Sequence, residues 1–406
     1  ESTVPLTKKQ QEYLLNCSHR WNVKTGATGS GKSFVDYTVV IPKRILASKG
    51  EGLLVLLGNT KGTLERNILS PMREFWTHDL VGEISSDNTV KIFGKKVYAL
   101  GADNKKHVSR IQGATFEYVY GDEVTTWSED VFQMLKSRLR CNHSRFDGTC
   151  NPDNPQHWFK KFLDSDADIY QQSYIIDDGM LPASTISEMK KEYAGTVYYD
   201  RFILGLWKAA EGVIYSQFAD DPNRYLLDEA PEIHIATIGV DFGGNGSAHA
   251  FVCNGILPGW KGVVTLDEYY RKEVISPTAL EEDFVNFVKR CKKKYRVYEV
   301  YCDSAEQVLI EGLRRAAAKA GLRVDIKNAK KGPINDRIRF YCALIGSGRY
   351  SVLRTCPHVI ESLSTAAWSS KAGKDERLDD GTYNIDSLDA LEYSTEAYMS
   401  DIMALR

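Results

Sequence analysis

Residues 26–33 read Gly-Ala-Thr-Gly-Ser-Gly-Lys-Ser, the spacing of a loop that wraps phosphate groups. Gly26, Ala27, Thr28, Gly29, Ser30 and Gly31 offer backbone N–H groups in a run that can curl around an anion. Lys32 would reach the β- and γ-phosphates of a nucleotide. The Ser33 hydroxyl would bind Mg²⁺, and the N-terminus of the helix that follows favours negative charge. The spacing points to ATP bound with Mg²⁺.

A second group follows in Tyr118-Val-Tyr-Gly-Asp-Glu123, a strand ending in adjacent carboxylates. Asp122 would hold Mg²⁺ through water, and Glu123 would polarise an attacking water, which implies hydrolysis rather than transfer to a small acceptor. Gly121 stands where a bulky apolar residue is more usual. Arg110, shortly before this strand, would bring a guanidinium to the γ-phosphate, with Arg138 and Arg140 competing for that role. Gln10 and Gln11, upstream of the first strand, are candidates to hold the adenine edge.

Carboxylates recur in the C-terminal half. Asp241 and Asp303 each end an apolar run, and Asn384-Ile-Asp-Ser-Leu-Asp-Ala-Leu-Glu392 opens a helix that puts Asp386 and Asp389 on one face. Massed carboxylates repel unless cations lie among them. Two Mg²⁺ or Mn²⁺ ions about 4 Å apart would relieve the repulsion and clamp a phosphodiester for attack by water. Each aspartate alone suits a cap or a turn equally well; their joint order points to a nuclease. Whether Asp386 ligates metal stays open.

The elements that must position these groups fall into two series. Strand, loop, helix, strand and helix alternate to about residue 160, an α/β nucleotide-binding pattern with a parallel sheet. Residues 1–160 are expected to be the ATPase core, 161–210 a helix-rich lid and 211–231 a linker. Residues 232–406 then open on a meander (233–242, 248–256, 262–270) and continue as alternating helices and strands, the order of an RNase H-like domain. There the first and fourth strands are neighbours, so Asp241 and Asp303 would converge, joined by the last helix.

Composition bounds the rest. The chain has 406 residues, 52 Lys plus Arg, 54 Asp plus Glu and 43% hydrophobic residues, the balance of a globular protein and not of a disordered or disulfide-knotted one. Residues 1–231 carry 28 basic and 30 acidic side chains, and 232–406 carry 24 of each, so any contact with DNA is through local patches. The basic stretches Arg290–Arg296 and Lys327–Arg339 suit either phosphate contacts or solvated helix ends. No apolar run reaches membrane length and no leader is read, so a soluble cytoplasmic protein without a membrane partner is expected. The eight cysteines show no C-x-x-C pair and are expected to be reduced and mostly buried.

A phosphate-loop hydrolase followed by an RNase H-like nuclease resembles the large terminase subunit of tailed bacteriophages. Three strings are similar to that family: Gly148-Thr-Cys-Asn-Pro152, Phe202-Ile-Leu-Gly-Leu-Trp207 continuing to Tyr215, and Asp386-Ser-Leu-Asp-Ala-Leu-Glu-Tyr393. The resemblance implies an ATP-driven motor that translocates double-stranded DNA into a procapsid and cuts the concatemer. It implies a portal protein and a small terminase subunit as partners, and a ring of subunits, five by expectation, that can be a monomer in isolation. The setting implied is the host cytoplasm. By motif, Thr149 and Asn151 would couple hydrolysis to motion, Asp241, Asp303 and Asp389 would be the principal metal ligands, and Asp386 an auxiliary one. Against this stands a helicase or recombination ATPase whose C-terminal domain binds DNA without cutting it; a small-molecule kinase and a silent portal scaffold are further alternatives.

Overall fold

The apolar runs become two seven-stranded sheets in a computed structural model that describes residues 6–103, 108, 111, 113–244, 246–370 and 373–404. The chain divides into two compact units. Residues 1–186, 199–209 and 372–374 form the first, and 187–198, 210–371 and 375–406 the second.

In the first unit the strands are β1 (Trp21–Gly26), β2 (Leu53–Gly58), β3 (Thr89–Ile92), β4 (Lys95–Gly101), β5 (Phe116–Gly121), β6 (Arg145–Cys150) and β7 (Ile169–Tyr174). They lie in the order β3-β4-β2-β5-β6-β1-β7, parallel except for the β3–β4 hairpin. β1 and β5 are buried along their whole length, as continuous strands of a doubly covered parallel sheet must be. One face packs on Trp21, Phe116, Phe132, Phe146 and Phe159, and the other on Ile41, Leu56, Leu64, Ile68 and Val97. β6 stands between β1 and β5, and all three end on the same edge, where open parallel sheets bind ligands.

One expectation is corrected here. The stretch 161–210, expected as a helix-rich lid, also contributes β7, which pairs with β1 in parallel register. Its sequence Ile169-Tyr-Gln-Gln-Ser-Tyr174 is polar because it is an edge strand with several exposed positions.

The second unit holds β8 (Leu226–Leu227), β9 (Ile235–Asp241), β10 (His249–Ile256), β11 (Val263–Arg271), β12 (Val297–Cys302), β13 (Asp325–Asn328) and β14 (Tyr350–Leu353), in the order β13-β12-β9-β10-β11-β14-β8. β9, β10 and β11 form the expected antiparallel meander, and β12 lies parallel beside β9, the core of an RNase H-like sheet. β14 and β8 extend it past β11 in parallel, which periodicity did not reveal. Within 211–231, read as a linker, Ser216–Asp220 is helical, Tyr215, Phe218 and Tyr225 are buried, and β8 pairs with β14.

The helix Asp386–Thr395 lies across β9 and β10. Asn254 Nδ2 donates to Ser394 Oγ at 2.6 Å, Thr237 Oγ1 to the Ser394 carbonyl at 2.5 Å, and Tyr341 OH to the Leu391 carbonyl at 3.2 Å. These bonds are buried and fix the helix along its axis. Among the described residues no helix is long and apolar enough to cross a membrane.

Candidate functional site

The phosphate loop leaves β1 with Gly26 at φ +127°, a conformation that side chains rarely adopt. A Cβ on Gly26 would also lie 2.1 Å from the Tyr174 carbonyl oxygen at the end of β7. The loop is held from behind: Ala27 N–H donates to Tyr174 O at 2.9 Å and Thr28 N–H to Phe202 O at 3.1 Å. Thus the string Phe202–Trp207 and the strand missed by periodicity both brace the loop. Lys32 Nζ donates to Gly26 O at 2.9 Å, to Ala27 O, and to Asn151 Oδ1 at 3.3 Å. Burial pushes this ammonium down to about 8. Ser33 follows on the helix Lys32–Val35.

Asp122 follows β5 and is buried. Its carboxylate accepts from Thr149 Oγ1 at 3.0 Å and from Asn67 Nδ2 at 2.9 Å. Burial raises its pKa against the pull of these two donors and of Lys32. Glu123 has φ +52°, rare for a residue with a side chain and the kind of local strain that collects at functional sites. The glycine before this pair is explained by packing: a Cβ on Gly121 would meet Trp127 at 2.7 Å and Phe146 at 2.8 Å. Thr149 and Asn151, at the end of β6, therefore reach the carboxylate and the loop lysine respectively.

Gln10 is buried beside the loop, and both its amide nitrogen and its amide oxygen already hold a partner. Nε2 donates to Gly31 O at 3.0 Å, and Oε1 accepts from Thr7 N–H at 2.9 Å. Arg110 lies outside the described residues. Arg138 and Arg140 precede β6, at the sheet edge opposite the phosphate loop, where Arg20 Nη2 donates to Leu139 O. Sequence reasoning missed the ion pair under the loop: Lys24 of β1 and Asp36, at 2.5 Å, are both fully buried, and Tyr120 OH donates to Asp36 at 2.9 Å.

In the second unit Asp241 ends β9, Asp303 follows β12, and Asp386 and Asp389 open the helix Asp386–Thr395, which a further helix (Met399–Ala404) follows. Asp241 is 8% exposed. Its burial first, and then the charges of Asp389, Asp386 and Asp303, push it well above the usual carboxylate range, so the three others lie near enough for their charge to act on it. Among the described residues the Asp241 carboxylate has no ion-pair or hydrogen-bond partner. Carboxylate oxygens are the ligands that Mg²⁺ and Mn²⁺ take, but among the described residues no three of these carboxylates bring oxygens within 4.8 Å of one another, so a divalent cation would have to draw them closer.

Their neighbours are cationic. Lys331 Nζ lies 2.7 Å from Asp303 Oδ1, and Arg377 pairs with Asp389 and, at 2.7 Å, with Glu392. Arg337 lies 3.1 Å from Glu392, which burial raises to about 7. Asp386 instead accepts from Ala248 N–H at 2.8 Å. Lys331 and Arg337 belong to the basic stretch 327–339, so part of that stretch is paired with carboxylates, Arg337 buried and Lys331 still in contact with solvent. In the other stretch, Arg290 pairs with Asp267 at 2.7 Å and Lys292 donates to the carbonyls of Val297 and Arg323.

Comparison with known proteins gives a concordant picture. Residues 25–219 match the family model described as terminase large subunit, T4likevirus-type, N-terminal. The fold is similar to that of the large terminase from a thermophilic bacteriophage, with TM-score 0.81 and 23% identity over 96% of this chain and 98% of that one. Structures of that phage protein in complex with ATP-gamma-S (TM-score 0.79, 23% identity) and with ADP (TM-score 0.79, 22% identity) match over the same shares, 96% and 98%. At these identities the likeness is one of fold. No curated protein matches the sequence.

Proposed function

We propose, from the premise that this chain carries the N-terminal domain of the terminase large-subunit family over residues 25–219 and folds as a large terminase does, that it is a DNA-packaging motor subunit that also cuts DNA. What supports the reading is a phosphate loop at the end of β1 in one unit and, in the other, Asp241 and Asp303 at the ends of β9 and β12 with Asp386 and Asp389 on a helix packed against β9.

In the first centre Lys32 leaves its loop carbonyls for the β- and γ-phosphates of ATP, which replace those carbonyls as anionic partners. Ser33, and Asp122 through water, would hold the Mg²⁺ that arrives with ATP, and the ion would offset charge on the phosphates. Glu123 orients a water in line with the γ-phosphate and takes its proton. Thr149 and Asn151 touch Asp122 and Lys32, so a change in either contact on hydrolysis passes directly to β6. An arginine, Arg110 by sequence position, completes the charge compensation.

In the second centre Asp241, Asp303 and Asp389 would hold two divalent cations, with Asp386 beside them. Bound there, the cations supply Lewis-acid activation of water and of the phosphodiester. Lys331 pairs with Asp303, and Arg377 with Asp389 and Glu392; Lys331, 38% exposed, is the one of the two that could meet a phosphate of double-stranded DNA. The portal of a procapsid, a small terminase subunit and further copies of this chain in a ring of five are the partners this reading calls for, in the host cytoplasm.

The test separates the two activities. Lys32→Ala and Glu123→Ala should abolish ATP hydrolysis and packaging while plasmid cleavage in Mn²⁺ survives; Asp241→Ala should do the reverse. The presence of Lys331 and Arg377 on two of the aspartates favours one competitor, a DNA-binding domain that does not cut. Cleavage unchanged by Asp303→Ala and Asp389→Ala would select that competitor.

A further inference from the structure

The edge of the first sheet away from Lys32 carries a different ligand set. Glu51 precedes β2, Glu117 lies at the start of β5, and Cys141 and His143 lie in the turn entering β6. β2, β5 and β6 are adjacent and parallel, so these three strand starts converge. A carboxylate oxygen of Glu51, the Cys141 Sγ and a ring nitrogen of His143 all lie within 4.8 Å of one another. Of the eight cysteines only Cys141 is not buried.

The orientation of His143 decides what the cluster can do. Its Nε2 lies 3.0 Å from Glu117 Oε1, and an ionised carboxylate only accepts, so the proton sits on Nε2. In the neutral ring Nδ1 then carries the lone pair, and Nδ1 faces Glu51 Oε2 at 3.7 Å. Glu117 is itself immobilised: it is 3% exposed and accepts from the N–H groups of Lys49, of Gly50 at 3.0 Å and of Glu51 at 3.1 Å. A buried carboxylate gripping the far nitrogen of an imidazole is the arrangement found behind metal-bound histidines. The C-x-H spacing of Cys141 and His143 is too short for a zinc ribbon, and only the fold supplies Glu51 and Glu117.

We propose that Glu51, Cys141 and His143 bind a borderline divalent cation, Zn²⁺ above all, with Glu117 positioning the histidine. One thiolate, one imidazole and one carboxylate leave a fourth tetrahedral position for water. The sulfur ligand disfavours Mg²⁺ and Ca²⁺, which sets the site apart from both centres described above. Glu51 is 59% exposed and His143 27%, so the cation reaches the site from solvent. Because it ties together the starts of three strands, its effect is on the stability of the first unit.

The experiment is a titration of the full chain with Co²⁺, followed by displacement with Zn²⁺. The expected result is a thiolate-to-cobalt charge-transfer absorption with tetrahedral d–d bands, which Zn²⁺ abolishes. Carboxylates of the nuclease cluster cannot produce that charge transfer, and the other seven cysteines are buried. Cys141→Ala should remove the band, His143→Gln should remove the tight phase, and Glu117→Gln should weaken Zn²⁺ binding roughly 10–100-fold. Circular dichroism of each variant separates lost ligation from lost fold. A folded wild-type chain with no charge-transfer band, or a band that survives Cys141→Ala, overturns the proposal.

Discussion

A side chain cannot fit on Gly239, because its Cβ would lie 1.8 Å from the carbonyl oxygen of Ala390. Gly239 is two residues before Asp241 on the same face of β9, and Ala390 directly follows Asp389. The close approach of strand and helix at this glycine is therefore what sets Asp389 beside Asp241.

Gly239→Ala should push the helix Asp386–Thr395 off β9 and misplace the carboxylates. Displacements near 1 Å cost on the order of 10²-fold in rate, and overpacking costs about 1–3 kcal/mol in stability. Plasmid cleavage should fall by roughly that factor, while ATP hydrolysis, housed in the other unit, stays normal. Full cleavage by a folded Gly239→Ala protein would show that the helix does not position the cluster.

Thr149→Val keeps the volume of the side chain and deletes the hydroxyl that Asp122 accepts. Loss of one such bond costs about 1 kcal/mol, so the chain should fold, and kcat for ATP should drop roughly tenfold with little change in nucleotide affinity. An unchanged kcat would remove Thr149 from the coupling of carboxylate and β6.

Gln10 offers a choice between two roles that a nucleotide panel can separate. If it braces Gly31, Gln10→Ala weakens ATP and GTP binding together, which is the outcome expected from an amide already engaged at both ends. If it reads adenine, only the preference for ATP over GTP is lost.

Lys24→Met leaves Asp36 buried without its cation. Breaking a buried pair in this way costs about 3–5 kcal/mol, read as a lower unfolding midpoint in urea for the first unit. A drop below about 1 kcal/mol, the scale of a surface pair, would mean that water reaches Asp36.

Lys331→Ala removes the cation that shares Asp303 with any bound metal. Exposed pairs are worth about 0.2–1 kcal/mol, so half-saturation of cleavage by Mn²⁺ should fall by up to about fivefold. A rise in the Mn²⁺ requirement would instead make Lys331 a positioning group for Asp303.

Much of the fold was legible because the signals are local. Gly26–Ser33 is a contiguous string between an apolar strand and a helix, and the Ile235–Asp241, His249–Ile256 and Val263–Arg271 meander shows as three runs separated by Gly-rich turns. The four aspartates were legible only as an ordered set, since each alone suits a cap or turn. β7 escaped because an edge strand needs no apolar run on both faces. The partners of the carboxylates escaped for another reason. Arg377 lies only 12 residues from Asp389, and Lys331 lies 28 from Asp303, yet no periodicity ties a loop cation to a carboxylate. The same holds for Glu117 and His143, joined across two strands.

The account rests on Asp241, Asp303 and Asp389 gathering divalent cations. Manganese anomalous scattering from crystals grown with Mn²⁺ tests this directly. The predicted result is anomalous density among those three side chains, lost in Asp241→Asn; a well-ordered site with no density there, at Mn²⁺ concentrations that support cleavage, would contradict it.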